Sequence, residues 1–115
     1  MIWDATAVTA VRALDGLAQR GQVRAHNIAN SETPNFRASH VSFEATLKDA
    51  LRRGRPEAAT TEVVASPTVI DGNGNSVDLE TEMIGAMQDG LMRDTMISGF
   101  NFKAAQMRVA FGGRR

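Results

Sequence analysis

Two histidines, His26 and His40, are the side chains best suited to move a proton or bind a metal. Nothing in their spacing assembles a third ligand, so surface or interface positions are expected for both. In "DGNGNSVDLETE", Asp71, Asn73, Asn75 and Glu82 occupy the first, third, fifth and twelfth places of an EF-hand calcium loop. The sixth place, which needs glycine for its sharp turn, is Ser76. The preceding segment holds Pro67 and β-branched residues where an entering helix belongs. A turn leading into the cap of a helix is the expected structure. Glu80 and Glu82 stand two apart, so on a helix they point to different sides and cannot share a substrate. First-turn electrostatics accounts for both. No GxSxG elbow, phosphate-cradling loop or HExxH pair occurs. No catalytic residue, no metal site and no cofactor is expected, and the chain does not read as an enzyme.

Composition points the same way. Thirteen basic and thirteen acidic residues cancel, which removes the broad positive field of a nucleic-acid binder. Cysteine is absent, so there is neither a disulfide nor a thiolate metal site. Hydrophobic residues make up 43% of the 115 positions, but aromatics only 5%, so few side chains can anchor a dense interior. A helical protein that completes its burial against other subunits fits this composition better than a sandwich or barrel. No stretch of about eighteen consecutive apolar residues is present, and no basic segment followed by an apolar run opens the chain. Any export is therefore expected to proceed without a cleaved signal peptide.

Two elements must position whatever the chain does. From Ala5 to Ala29 there is no proline, and Ala7, Val11, Leu14, Ala18, Gly21, Ala25 and Ile28 recur in alternating steps of four and three. That is a heptad seam, with small residues that let a partner backbone approach. A second seam runs through Leu79, Met83, Ala86, Gly90, Arg93, Ile97, Phe100, Ala104, Met107 and Phe111, interrupted once by Arg93. Met87, Leu91, Met92 and Met96 widen its apolar face. A helix from about Leu79 to Phe111 would be about 50 Å long at 1.5 Å per residue. Asp78 is the expected N-cap, and Gly112 with Gly113 the stop. Acidic residues early in this segment and Lys103, Arg108, Arg114 and Arg115 late in it suit the helix dipole.

Three regions follow: residues 1–31 as an N-terminal coiled-coil helix, 32–76 as a small mixed or partly disordered middle, and 77–115 as a C-terminal coiled-coil helix. The fold class is mainly α, the two terminal helices pairing as an antiparallel coiled coil. In the middle, Phe43, Leu47 and Leu51 behind a capping Ser42 predict a short helix ended by "RRGRP". Thr60 to Ala65 and Thr68 to Ile70 predict a small hairpin.

The join between the first helix and the middle is "HNIANSETPNFRA". Pro34 pushes Thr33 toward extended geometry, and Asn35 can take the left-handed conformation at the third place of a type II turn. Asn27 and Asn30, in the last helical turn, can bond freed carbonyls or a neighbouring chain. The expected result is a polar joint that fixes how the helix leaves the rest of the subunit.

Within that joint, Asn27, Ile28, Ala29, Asn30, Thr33, Pro34, Asn35 and Phe36 resemble the signature of the axial proteins of the bacterial flagellum. There the pattern runs NIAN, two variable residues, then TPG or TPN and an aromatic. "DGNGNSVDLETEM", followed by Leu91, Asn101, Lys103, Met107, Arg108 and Ala110, is similar to the end of the small proximal rod subunits of that family. The resemblance implies a structural subunit of the flagellar basal-body rod. Its terminal helices would pair along Val11, Leu14, Ala18 and Ala25 on one side and Leu79, Met83, Ala86, Ile97, Phe100, Ala104 and Met107 on the other. It implies partners in other rod subunits, in the membrane-ring adaptor and in the flagellar type III export apparatus, with helical self-association and a location in the rod spanning the periplasm. The alternative is a small soluble helical adaptor or chaperone-like interaction protein, which would fold stably alone and form no polymer.

Overall fold

The computed structural model describes residues 4–66 and 70–112. Helix α1 runs Ala5–Ala29 over the proline-free stretch. Asp4 opens it in an extended conformation, its carboxylate accepting from the Ala7 N–H at 3.0 Å. Lys103 lies 2.7 Å from the same carboxylate. The Lys103 hydrogen bond, followed by the Ala7 amide, holds the Asp4 carboxyl below its ordinary range. At the other end the chain turns through Thr33–Phe36. The Phe36 N–H donates to the Thr33 carbonyl at 3.3 Å, and Asn35 sits at φ 63° as the turn requires.

The middle is ordered differently from the sequence expectation. Strand β1, Ser39–Ser42, pairs antiparallel with strand β2, Glu62–Ala65, with Val41 opposite Val63. The expected strand at 60–65 is present as Glu62–Ala65, and its partner lies before α2; of the second expected strand, Thr68 to Ile70, residues 68 and 69 lie outside the described residues. The cause is burial: pairing with β1 lets Val41 reach the Ala13–Leu17 face of α1, and a two-stranded ribbon needs such a support. Helix α2, Glu44–Arg52, follows. Its N-cap is Phe43, with no side-chain cap, because Ser42 is committed to the strand. A single 3-10 turn at Pro56–Ala58 returns the chain to β2.

Helix α3 spans Leu79–Gly112. As expected, Asp78 caps it: its carboxylate accepts from the Thr81 N–H at 3.2 Å, and that bond holds the Asp78 carboxyl below its ordinary value. Gly113, Arg114 and Arg115, expected to end the helix and complement its dipole, lie outside the described residues. The chain extends 66 Å along its longest axis. Among the described helices, none is long and apolar enough to cross a membrane.

The apolar core is small. Ala13, Leu17, Val41 and Phe43 form it, with Val23, Leu47 and Met96 packed around, so α3 contributes a single residue. Gly16 is where the core needs glycine: a Cβ there would collide with the Phe43 ring. Helices α1 and α3 run antiparallel, Asp4 meeting Lys103 and Asn27 meeting Glu82. The polar contacts between them do not follow the heptad seams. The polar contacts run from Arg20, Arg24 and Asn27 on α1 to Glu82 and Asp89 on α3, with Gly85 against the Arg24 guanidinium. Each polar face is one residue removed from its seam, a rotation of about 100°.

Candidate functional site

The polar joint is built from three segments. Asn27 is the largest fully buried side chain among the described residues. Its amide nitrogen donates to the Ser39 carbonyl at 2.7 Å and to Glu82 Oε2 at 2.9 Å, while its oxygen accepts from the Ser39 N–H at 3.3 Å. One side chain thereby ties the last turn of α1 to the first residue of β1 and the first turn of α3. Asn30 closes the helix, its side-chain amide donating at 2.8 Å to the His26 carbonyl that its own backbone N–H also reaches, and its oxygen accepting from the Thr33 hydroxyl at 3.1 Å. Phe36 packs edge-on against the His26 ring, centroids 5.4 Å apart.

The third segment is "DGNGNS". Asp71 folds it, its carboxylate accepting from the N–H groups of Asn73 at 2.8 Å and Asn75 at 3.0 Å. Asn75, buried, then donates to the carbonyls of Asn30 at 2.9 Å and Thr33 at 2.7 Å. Main-chain bonds run from the Asn35 N–H to the Asn73 carbonyl and from the Ser76 N–H to the Phe36 carbonyl, at 2.9 and 3.0 Å. The Ser76 hydroxyl accepts from the Ala38 N–H at 2.7 Å. Of the residues that imitate a calcium loop, Asp71 and Asn75 thus spend side-chain oxygens on backbone amides, and Glu82 spends its own on Asn27 and Arg24. Among the described residues, no group of three His, Asp or Glu side chains is placed to hold a metal.

At Asn35 and Gly74 the turn and the loop touch. Gly74 has φ 76°, and a Cβ there would collide with Asn35. Replacing Asn35 by alanine is expected to cost about 1 kcal/mol, the left-handed penalty for an ordinary side chain. Replacing it by glycine is expected to stay within about 0.5 kcal/mol of the parent, because glycine takes this conformation freely. Urea denaturation of the pair decides whether backbone conformation or the asparagine amide matters here.

Beside the joint lies a charge cluster. Arg24 reaches Asp89 at 2.9 Å through Nε and Glu82 at 3.2 Å through Nη1. Arg20 reaches Asp89 at 3.2 Å and Glu44 at 2.5 Å, and lies 4.7 Å above the centroid of the Phe43 ring. Burial opposes the charge on Arg20, but Glu44 and Asp89 outweigh it and raise its pKa. Burial likewise pushes the Glu44 carboxyl up, and the Arg20 hydrogen bond overcomes it, leaving the group below its ordinary value. Sequence reasoning assigned Glu82 and Asp89 to helix electrostatics and passed over Arg20 and Arg24. Their signal was present as an i, i+4 arginine pair on α1 and acidic residues a heptad apart on α3.

The seam positions divide. Ala7 is buried, and Val11, Leu14, Phe100, Ala104 and Met107 are half-buried. Ala18, Ala25, Leu79, Met83, Ala86 and Ile97 are exposed in the single chain. So are Met87 at 71% and Leu91 at 70%. His26 and His40 are both exposed, His40 Nδ1 lying 3.4 Å from the Ser66 hydroxyl. An apolar groove of about 420 Å³, lined by Ala7, Ala10, Leu51, Met96, Phe100 and Lys103, separates α2 from the far ends of the long helices.

A polar joint that holds two rods at a set angle, with their apolar faces left open, is the construction of an assembly subunit. Comparison with known proteins makes that class specific. No family model matches the chain. It is 28% identical over 132 aligned residues to the flagellar basal body rod protein FlgB of Borrelia hermsii, covering 94% of this chain and 98% of that one. With FlgB of Bacillus subtilis it shares 28% over 107 residues, covering 80% of this chain and 81% of the relative. With FlgB of Salmonella typhimurium the figure is 32% over 91 residues, 61% of this chain and 66% of the relative. The chain belongs to the flagellar basal body rod proteins, and these relatives are all FlgB subunits.

Proposed function

We propose that the chain is a structural subunit of the flagellar basal-body rod, in its proximal part, and that it assembles helically through its terminal helices. The observation that carries this reading is the joint: the residues of the axial signature, Asn27 to Phe36, are the ones that Asn75, Ser76 and Glu82 clasp. The clasp sets the direction in which α1 and α3 leave it. Exposed Met83, Met87, Leu91 and Ile97 on α3, and Ala18 and Ala25 on α1, are then free to pack on adjoining subunits. In that assembly the heptad seams would form the antiparallel coiled coil with neighbours, since the polar faces already satisfy the contact within one chain. Contacts that do not close a ring generate a filament.

The work of such a subunit is mechanical: it transmits torque along the rod and lines the channel through which later components pass. Its partners are other rod subunits, the membrane-ring adaptor and the flagellar export apparatus, in the rod that spans the periplasm. It is not an enzyme, and nucleic acid has no part in this function.

The test is deletion of the gene in its own host with a tagged copy restored. Loss of swimming on deletion, recovery with the tagged chain and recovery of the tag in purified basal bodies are the expected results. A deletion strain that swims normally defeats the reading.

A further inference from the structure

Asn73, alone among the asparagines, is followed by a glycine. In such a pair the Gly74 nitrogen can lose its proton to solvent base and attack the Asn73 side-chain carbonyl carbon, with no Cβ on the attacking residue to obstruct it. Ammonia leaves, and a five-membered succinimide remains. Water then opens the ring at either carbonyl. One product is aspartate; the other is an isoaspartyl linkage, in which the main chain runs through the Cβ of residue 73 and is one methylene longer. Asn75, next in the loop, is buried, its amide donated to two carbonyls and its oxygen accepting from the Val77 N–H. Asn73 is exposed.

The clasp holds the reacting peptide by both ends. The Asn73 carbonyl accepts from the Asn35 N–H at 2.9 Å, and the Gly74 N–H donates to the Asp71 carbonyl at 3.0 Å. In a turn closed by such a bond the third residue, here Asn73, has ψ of about 0°. Ring closure needs the peptide between Asn73 and Gly74 to swing far from there, and both bonds must then break. The proton that has to leave is the one given to Asp71. Nor can the fold avoid the pair, because a Cβ at Gly74 would lie 2.3 Å from Asn35 Oδ1 and φ there is 76°.

We propose that Asn73 is a deamidation site gated by the clasp: inert while Asn35 and Asp71 hold its peptide, reactive whenever the chain is unfolded. The isoaspartyl product displaces the carbonyl that the Asn35 N–H needs, so a chain kept unfolded loses the ability to close the joint. The gating is a property of the single chain and does not depend on the rod reading.

In the test, the purified full chain is incubated in mildly alkaline buffer, folded and in guanidinium chloride. Mass spectrometry of the peptide carrying Asn73 follows conversion of amide to acid. Conversion is expected to be about thirtyfold slower in the folded chain, as when two hydrogen bonds of ordinary net strength must open first. N73Q, whose longer side chain closes a ring far less readily, is expected to abolish conversion at this peptide in guanidinium chloride. N75A, which removes the bonds to the Asn30 and Thr33 carbonyls, is expected to speed conversion in buffer at least about fivefold. Two measurements need no variant. The Gly74 amide of the folded parent is expected to exchange its hydrogen slowly, and the isoaspartyl chain, returned to buffer, to unfold at a lower urea concentration than the parent. Equal conversion rates in folded and unfolded parent, conversion unaffected by N73Q, no acceleration in N75A, a Gly74 amide that exchanges as freely as in the unfolded chain, or an isoaspartyl chain as stable as the parent each overturns the proposal.

Discussion

Gly16→Ala is expected to destabilise the protein by about 2 kcal/mol, although alanine is the better helix former. The intrinsic preference favours the substitution by about 1 kcal/mol in a helix interior. Against it stands the Phe43 ring, whose Cγ and both Cδ atoms lie 2.4 to 2.6 Å from where the new Cβ would be. These atoms are the root of a buried ring and not the tip of a flexible chain, so Phe43 must leave its place over α1. Overpacking of this kind costs about 1–3 kcal/mol. Displacing Phe43 also disturbs the cation–π contact with Arg20. The midpoint of thermal unfolding should fall by roughly 8 °C. Gly21→Ala is the control, on the same helix with nothing within 4 Å of its Cβ. It should raise stability by about 0.5–1 kcal/mol. If both substitutions move the midpoint the same way, the close approach of Phe43 is not what requires glycine.

Asn27→Asp is expected to cost more, about 3–4 kcal/mol at neutral pH. The amide that donates to Ser39 O and Glu82 Oε2 becomes an acceptor facing two acceptors, and two carboxylates then share one buried site. The pH dependence has a definite sign. Repulsion raises the folded pKa of the carboxyl pair above its unfolded value, so the variant's deficit is smallest below about pH 4. It then grows as pH rises through the folded value. Asn27→Ala should cost about 2 kcal/mol with no such dependence, since it removes bonds without adding charge. Urea titrations between pH 4 and 8 separate the two variants. In a complemented deletion strain, Asn27→Asp should abolish swimming at neutral pH. Equal losses at every pH for both variants would mean that Glu82 does not face Asn27.

The single sequence made several parts of this molecule legible. The bounds of α1, the Asp78 cap, the left-handed Asn35 and the carbonyl-bonding role of Asn30 all depend on residues within a few positions of one another. Local backbone sterics and capping decide them without reference to distant parts of the chain. The signature at Asn27 to Phe36 and the "DGNGNS" loop were also visible, each by itself. That each is the other's hydrogen-bond partner was not visible.

What tertiary structure decided is which distant groups meet. Arg24 and Asp89 lie 65 residues apart, and β1 found β2 across α2. Such pairings depend on where burial leaves a charge or an amide unsatisfied, and no local pattern encodes that. The same cause turned each long helix by one residue. Apolar periodicity marks the face that benefits from leaving water, but Arg24, Asn27, Glu82 and Asp89 gain partners only by facing one another. Within one chain the polar face therefore turns inward and much of the apolar seam is left outside.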